Sequence, residues 1–319
     1  MSDTECDQSD ILTKYDIEDI DFKDNQANQY CISKTYHPEL SFWNKVKPYK
    51  LNSECTLIGY STASRYTSFW IPEKRIMLDA GVVAQFTPEH IFITHGHYDH
   101  CGELPRLLID NGKVKPKLYV PKAHQSNIYN YIDTAYKMTK FQKETNIHTQ
   151  YDMISVLPDV TINTTIKSKE YLIEIIKCNH SVPTDGYGFI EVRSKLKSEY
   201  VDLSQEELTN LKKNGTDITT KIQVPIFCFM GDTDHKVLTN KSLEQYPVVI
   251  IECTFLDQDH VKEAKKTKHM HWNNLKQYII DHPATTYILI HFSARYDDIY
   301  VKNFFKDMQK TIKNIVIWI

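Results

Sequence analysis

Three imidazoles and a carboxylate fall within six residues of one another in the run Ile91-Phe-Ile-Thr-His-Gly-His-Tyr-Asp-His100. Imidazole nitrogen and carboxylate oxygen are the donors that a borderline divalent cation such as zinc prefers. An i, i+2 spacing lets His95 and His97 reach one ion from an extended segment. Asp99 and His100 then turn towards a second ion near the start of the following helix. The competing reading is four solvated polar side chains in a loop, but groups of this kind are kept so close together when a cation unites them. Two ions need more ligands than one loop supplies. His180, Asp232 and His291 each follow an apolar run with strand character, where a site at the edge of a sheet would look for them. A carboxylate at position 232 can bridge two ions through its two oxygens.

These residues depend on strands to carry them. Short apolar runs bounded by turn residues predict strands at 56–59, 68–71, 75–78, 90–94, 117–120, 172–178, 189–193, 225–230, 248–252, 287–291 and 314–318. Helices are predicted at 103–111, 124–139, 204–213, 241–245, 273–280 and 297–310, the third opening with Ser204 and Glu207 in a capping-box spacing. Strands outnumber helices without strict alternation, which predicts an α+β arrangement of packed sheets with outer helices. One domain is expected over 36–319, with 1–35 as an acidic, disordered or loosely attached extension.

Composition narrows the class. The chain has 319 residues, 41% hydrophobic and 25% charged, near the averages of soluble globular proteins. No apolar run approaches the ~20 residues that span a bilayer, so no membrane association is expected. The acidic N-terminus lacks the basic flank and apolar core of a signal peptide. Seven cysteines are scattered without a C-x-x-C pair. That suits a reducing compartment, so a cytoplasmic location is expected, with a nuclear or viral context left open, and it offers no cysteine zinc site. Residues 1–26 hold nine Asp/Glu against two Lys, so the net charge of −3 divides into −7 there and +4 on the body. A mildly basic body is compatible with a polyanionic substrate without requiring one.

His-x-His-x-Asp-His after a strand is the signature of the metallo-β-lactamase superfamily, which this sequence resembles through the expected order of motifs. The narrower likeness is to tRNase Z, the endonuclease that removes the 3′ trailer of precursor tRNA. His291-Phe-Ser-Ala-Arg-Tyr296 resembles its closing motif, and Phe229-Met-Gly-Asp-Thr233 and Ile250-Ile-Glu-Cys-Thr-Phe255 its aspartate and Glu-x-Thr-Phe motifs. His180-Ser-Val-Pro-Thr-Asp-Gly-Tyr-Gly188 resembles its third-histidine motif, and the stretch around Lys195–Ser204 looks like the short form found in plants. The long Gly-rich arm of many bacterial members has no counterpart.

The resemblance implies an αββα sandwich of two β-sheets flanked by helices. It implies a zinc-dependent endoribonuclease that cleaves the 3′ trailer of precursor tRNA by metal-activated hydroxide attack on a phosphodiester, leaving a 3′-hydroxyl on the tRNA and a 5′-phosphate on the trailer. Two Zn2+ ions, with Mn2+ as an alternative, would be held by His95, His97, His180 and Asp232 and by Asp99, His100, Asp232 and His291. Asp79, in Met77-Leu-Asp-Ala-Gly81, would orient the metal loop. Asp99, His269 and Glu252 are the expected catalytic residues, with His269 as general acid and Glu252 orienting its ring, although Lys268-His-Met-His-Trp272 also admits His271. The partner would be precursor tRNA or another RNA, and the assembly a homodimer. Lys195, Lys197, Lys212 and Lys213 are candidates for RNA phosphate contacts. His37, His90, His124, His148, His260 and His282 read as solvent-facing or locally satisfied, and His235 as a turn residue. The alternatives are a broader hydrolase of the same fold (a β-lactamase or small-molecule phosphodiesterase, with or without general RNase activity) and a non-catalytic binding module.

Overall fold

The computed structural model describes Trp43 and residues 45–319, apart from 85, 110, 111 and 113. The expected extension at 1–35 lies outside the described residues. Among the described residues, fourteen strands form two seven-stranded sheets, in the orders β1 to β7 and β14 to β8. In the first, β1 (Tyr49–Asn52), β2 (Cys55–Thr62), β3 (Tyr66–Ile71) and β4 (Ile76–Leu78) run antiparallel. From β4, the strands β5 (His90–Phe92), β6 (Lys117–Pro121) and β7 (Asp152–Val156) continue in parallel.

The second sheet repeats the pattern. Strands β8 (Thr161–Ile166), β9 (Lys169–Cys178), β10 (Thr184–Leu196) and β11 (Thr219–Phe229) are antiparallel. Parallel β12 (Val248–Glu252), β13 (Thr286–Ile290) and β14 (Ile315–Ile317) follow.

Three separate cores show the layering. Between the sheets, Phe69 meets Phe229 edge-on at 5.9 Å and Phe92 meets Tyr187 at 5.1 Å. Burial of such aromatic faces supplies the main drive to pack one sheet on the other. The outer face of the first sheet is covered by α1 (Tyr98–Cys101), α2 (Leu104–Ile109) and α3 (Gln125–Lys140), through Leu104, Leu107, Ile128 and Ile132. The second is covered by α6 (Trp272–Asp281) and α7 (Asp298–Lys306), through Leu275, Ile279, Val301 and Phe305, while α5 (Val261–Thr267) buries only Ala264. Helix, sheet, sheet, helix is the expected αββα sandwich.

Helix α4 (Gln205–Lys213) lies in the β10–β11 connection, and Ser204 caps it with Glu207 in a capping box, as its sequence predicts. Other boundaries differ from expectation. The helix predicted at 103–111 begins earlier, as α1, and breaks before Leu104. Residues 241–245 form a 3-10 turn, and the helix predicted at 297–310 ends at Lys306. Among the described residues no helix is long and apolar enough to cross a membrane.

Candidate metal centre

The expected ligands and Asp79 sit at one edge of the sandwich, just beyond the C-terminal ends of β4, β5, β9, β11 and β13; Glu252 ends β12, and His269 reaches the same edge from the turn after α5. Strand ends suit such a site because each delivers a side chain from a rigid element while the following loop is free to turn. Asp79 leaves β4 with a left-handed backbone (φ 56°), and His291 leaves β13 likewise (φ 61°). Non-glycine residues in that region cost energy and concentrate at functional sites. Gly81 lets the metal loop close in, since a Cβ there would fall 1.8 Å from the carbonyl oxygen of Asp99.

Two sets of donor atoms converge and share Asp232. In the first, His95 Nε2 and His97 Nδ1 are 3.0 Å apart, and His97 Nδ1 and His180 Nε2 are 3.3 Å apart. Asp232 Oδ2 lies 3.8 Å from both His95 and His180. In the second, His100 Nε2 and His291 Nε2 approach to 3.3 Å, with Asp99 Oδ2 3.7 and 3.6 Å away. Asp232 adds Oδ1 at 3.4 Å from His100 and Oδ2 at 3.5 Å from His291. Ligands around a tetrahedral cation with bonds of about 2.05 Å stand about 3.3 Å from one another. The separations above, from 3.0 to 3.8 Å, bracket that edge length, so the donors fit a divalent metal.

The second nitrogen of each ring explains why the donors point inward. His100 donates from Nδ1 to Asp79 Oδ2 at 2.7 Å. Thr94 donates its hydroxyl to Asp79 and can therefore accept from His95 Nδ1 at 3.0 Å. Thr254 likewise donates to Glu252 and accepts from His291 Nδ1, while His180 Nδ1 donates to the Lys268 carbonyl. In these four rings the Nδ1 proton is fixed by the fold, which leaves Nε2 as the atom turned towards the other donors. Burial holds the His95, His97 and His180 pKa values down, favouring the neutral ligand form. Burial also opposes charge on His100, but Asp232, Asp79 and Asp99 outweigh it and carry the ring to about 10. Asp232, despite its burial, is held well below the usual carboxylate range by His291, His100 and His95.

His269 stands on the wall of a cavity of about 380 Å3 whose lining includes His97, Asp99, His180, Asp232 and His291. Its Nδ1 lies 3.0 and 3.1 Å from the two oxygens of Glu252. Glu252 is buried and fixed in turn by the backbone N–H groups of Thr233 and Met270. Burial opposes charge on His269, yet Glu252 prevails and carries it to about 9. Although His269 also stands near Asp232 and His291, its commitment to Glu252 favours an acid over a ligand. His271 is elsewhere: it caps α6 by accepting from Asn273 N and donates to the Asp257 carbonyl.

The metallo-β-lactamase superfamily model matches residues 54–161. The metallo-β-lactamase fold protein YhfI of Bacillus subtilis superposes with a TM-score of 0.52 at 13% identity, over 81% of this chain and 93% of that one. Among curated relatives, tRNase Z TRZ1 of Arabidopsis thaliana is 29% identical over 247 residues, 75% of this chain and 85% of its own length. Ribonuclease Z of Nitrosopumilus maritimus is 26% identical over 256 residues, 70% and 81% of the two. The chain is tRNase Z-like, on the metallo-β-lactamase fold.

In this tRNase Z-like chain all seven expected ligand positions, with Asp79, Glu252 and His269, meet at one site. Lys195, Lys197, Lys212 and Lys213 do not join them: they sit at the outer end of the β10–β11 hairpin and on α4, and Lys197 Nζ donates to the Asp217 carbonyl. The described remaining histidines are mostly bound locally, His124 to the Pro183 carbonyl, His148 to Asp133 and Tyr151, and His260 to Tyr296. Sequence reasoning gave no role to Thr94, Thr254 and Lys268. Thr94 directly precedes His95 and Thr254 stands in the Glu-x-Thr-Phe run, so their place in the motifs was the available signal.

Proposed function

We propose that this protein is a zinc-dependent endoribonuclease that cuts the 3′ trailer from precursor tRNA. The observation that carries the reading is His269, backed by buried Glu252, on the wall of the same cavity that the two donor sets face. Metal donors alone suit many hydrolyses. A phosphodiester in RNA also needs a proton on its departing 3′-oxygen, and His269, held by Glu252 on the cavity wall, is placed to give one. The relatives named tRNase Z and ribonuclease Z support the same choice.

His95, His97, His180 and Asp232 would hold one zinc ion, and Asp99, His100, Asp232 and His291 the other. When bound, such a pair lowers the pKa of water and neutralises charge on phosphoryl oxygens. The chain's own residues do the remainder. Asp79 and Thr94 keep the His95 and His100 rings turned inward. Thr254 does so for His291 and also bonds Glu252, so ligand and acid are set by one hydroxyl. Glu252 holds the His269 Nδ1 proton and leaves Nε2 as the position that protonates the leaving oxygen. The active species is read as a homodimer, and mass measurement in solution checks that part.

The deciding experiment offers precursor tRNA, a β-lactam and bis(p-nitrophenyl) phosphate to the purified protein, with and without chelator. Cleavage at the trailer junction, with a 3′-hydroxyl on the tRNA and loss under chelation, is the expected result. Hydrolysis of the small substrates with the tRNA left intact overturns the RNA reading.

A further inference from the structure

Lys268 joins the loop of a candidate ligand to the loop of the candidate acid. Its Nζ donates to the His180 carbonyl at 2.9 Å, while its own carbonyl accepts from His180 Nδ1 at 3.2 Å. The two bonds form a reciprocal clasp between segments 88 residues apart in the chain. His269 follows directly, and its ring centroid stands 4.8 Å from that of His180. Lys268 ends α5 in the left-handed conformation, φ 56°. Glycine fits that conformation without strain. A lysine kept there sustains a cost, and the half-buried side chain is spent on a backbone carbonyl rather than on solvent.

Lys266 and Thr267 line the metal-centre cavity, whereas the Lys268 ammonium is engaged by the His180 carbonyl. From these contacts we infer that Lys268 is a positioning residue, and that its ammonium locks the acid loop to the His180 loop so that His269 stands at a fixed place relative to the metal centre. The inference rests on the reading of His269 as general acid. Catalytic groups lose much of their effect when misplaced by about an ångström, up to roughly a hundredfold.

The test compares Lys268→Gly, Lys268→Met and Lys268→Arg with the parent on precursor tRNA, a dinucleotide and bis(p-nitrophenyl) phosphate. The first two substrates lose an alkoxide that needs a proton; the third loses a nitrophenolate that does not. Lys268→Gly keeps the carbonyl half of the clasp and relieves the backbone, so its Tm should hold or rise. Its kcat on the two alkoxide esters should fall about 10- to 100-fold, with KM within about twofold and nitrophenyl ester hydrolysis within about threefold. Lys268→Met should share the kcat loss, and Lys268→Arg, which retains a cationic donor, should recover most of it.

Parallel loss on all three substrates, or no loss on any, overturns the clasp as a positioner of the acid. If the parent cuts the dinucleotide but not precursor tRNA, the tRNA reading fails, and the clasp is judged on the dinucleotide-to-nitrophenyl ratio alone. If the parent cuts no alkoxide ester, no acid step exists and the clasp falls with it.

Discussion

Two clusters of charged side chains, each built around a buried carboxylate, balance that charge in opposite ways. Around β9 and β10, Glu191 accepts from Lys169 at 3.1 Å, Arg193 at 2.9 Å and the Tyr171 hydroxyl at 2.8 Å. Neighbouring Glu54 takes Lys169 and Lys74. Two carboxylates thus meet three permanent cations, and the cluster is closed. About seven residues along β10, roughly 23 Å at strand rise, the sandwich edge holds Asp79, Asp99, Asp232 and Glu252. Among the described residues no Lys or Arg forms an ion pair with any of these four; their partners are imidazoles. Buried carboxylates without a permanent counter-charge are costly. The contrast shows what a cation site looks like when the cation must come from outside the sequence.

The largest effect should come from removing the shared ligand. Asp232→Ala takes a donor from both sets, so metal content should fall and hydrolysis of every substrate should drop to background, as with chelation of the parent. Elemental analysis beside activity checks this. A fully active, metal-replete Asp232→Ala protein would mean that the edge cluster needs no external charge, and the contrast would collapse. Next in size is His269→Ala. Metal content should be retained, precursor tRNA cleavage should fall about 10²–10⁴-fold, and bis(p-nitrophenyl) phosphate hydrolysis should change far less. Equal losses on both substrates would place His269 among the ligands instead.

The sequence declared these two clusters very unequally. The metal centre was legible because four of its donors are compressed into residues 95–100, and the rest each close an apolar strand. Its order along the chain sufficed to assemble it. The choice between His269 and His271 was not legible, because both fit the spacing and only the packing of Glu252 and the start of α6 separates them. The closed cluster was invisible: Glu54, Lys74, Lys169, Glu191 and Arg193 are scattered over 140 positions and meet only through the pairing of β9 with β10 and the packing of one sheet against the other. Strands followed the same logic. All three that escaped prediction, β1, β7 and β8, are sheet edges. Runs such as Thr-Ile-Asn-Thr-Thr-Ile of β8 alternate partly exposed polar residues and lack the apolar density of the central strands. Helix α5 was missed for a related reason, since Ala264 is its one buried side chain among polar neighbours.

The smallest effect, and the one that sharpens the contrast most, concerns Glu191→Gln. Burial disfavours charge on Glu191, but Arg193, Tyr171 and Lys169 overcome it and hold the carboxyl at about 2, below its ordinary value. A carboxyl depressed by folding stabilises the protein above its unfolded pKa of about 4.3 and ceases to do so as pH falls through the folded value. Removing the charge should therefore cost about 1.5–3 kcal/mol near neutrality, read as a lower denaturant midpoint, and the difference from the parent should shrink between pH 4 and pH 2. Because this cluster is closed, the cost should be the same with and without chelator, and turnover per folded molecule should be unchanged. A Glu191→Gln penalty that grew on metal removal would show the two clusters to be coupled along β10, and the distinction between self-neutralised and externally neutralised charge would have to be redrawn as one continuous network.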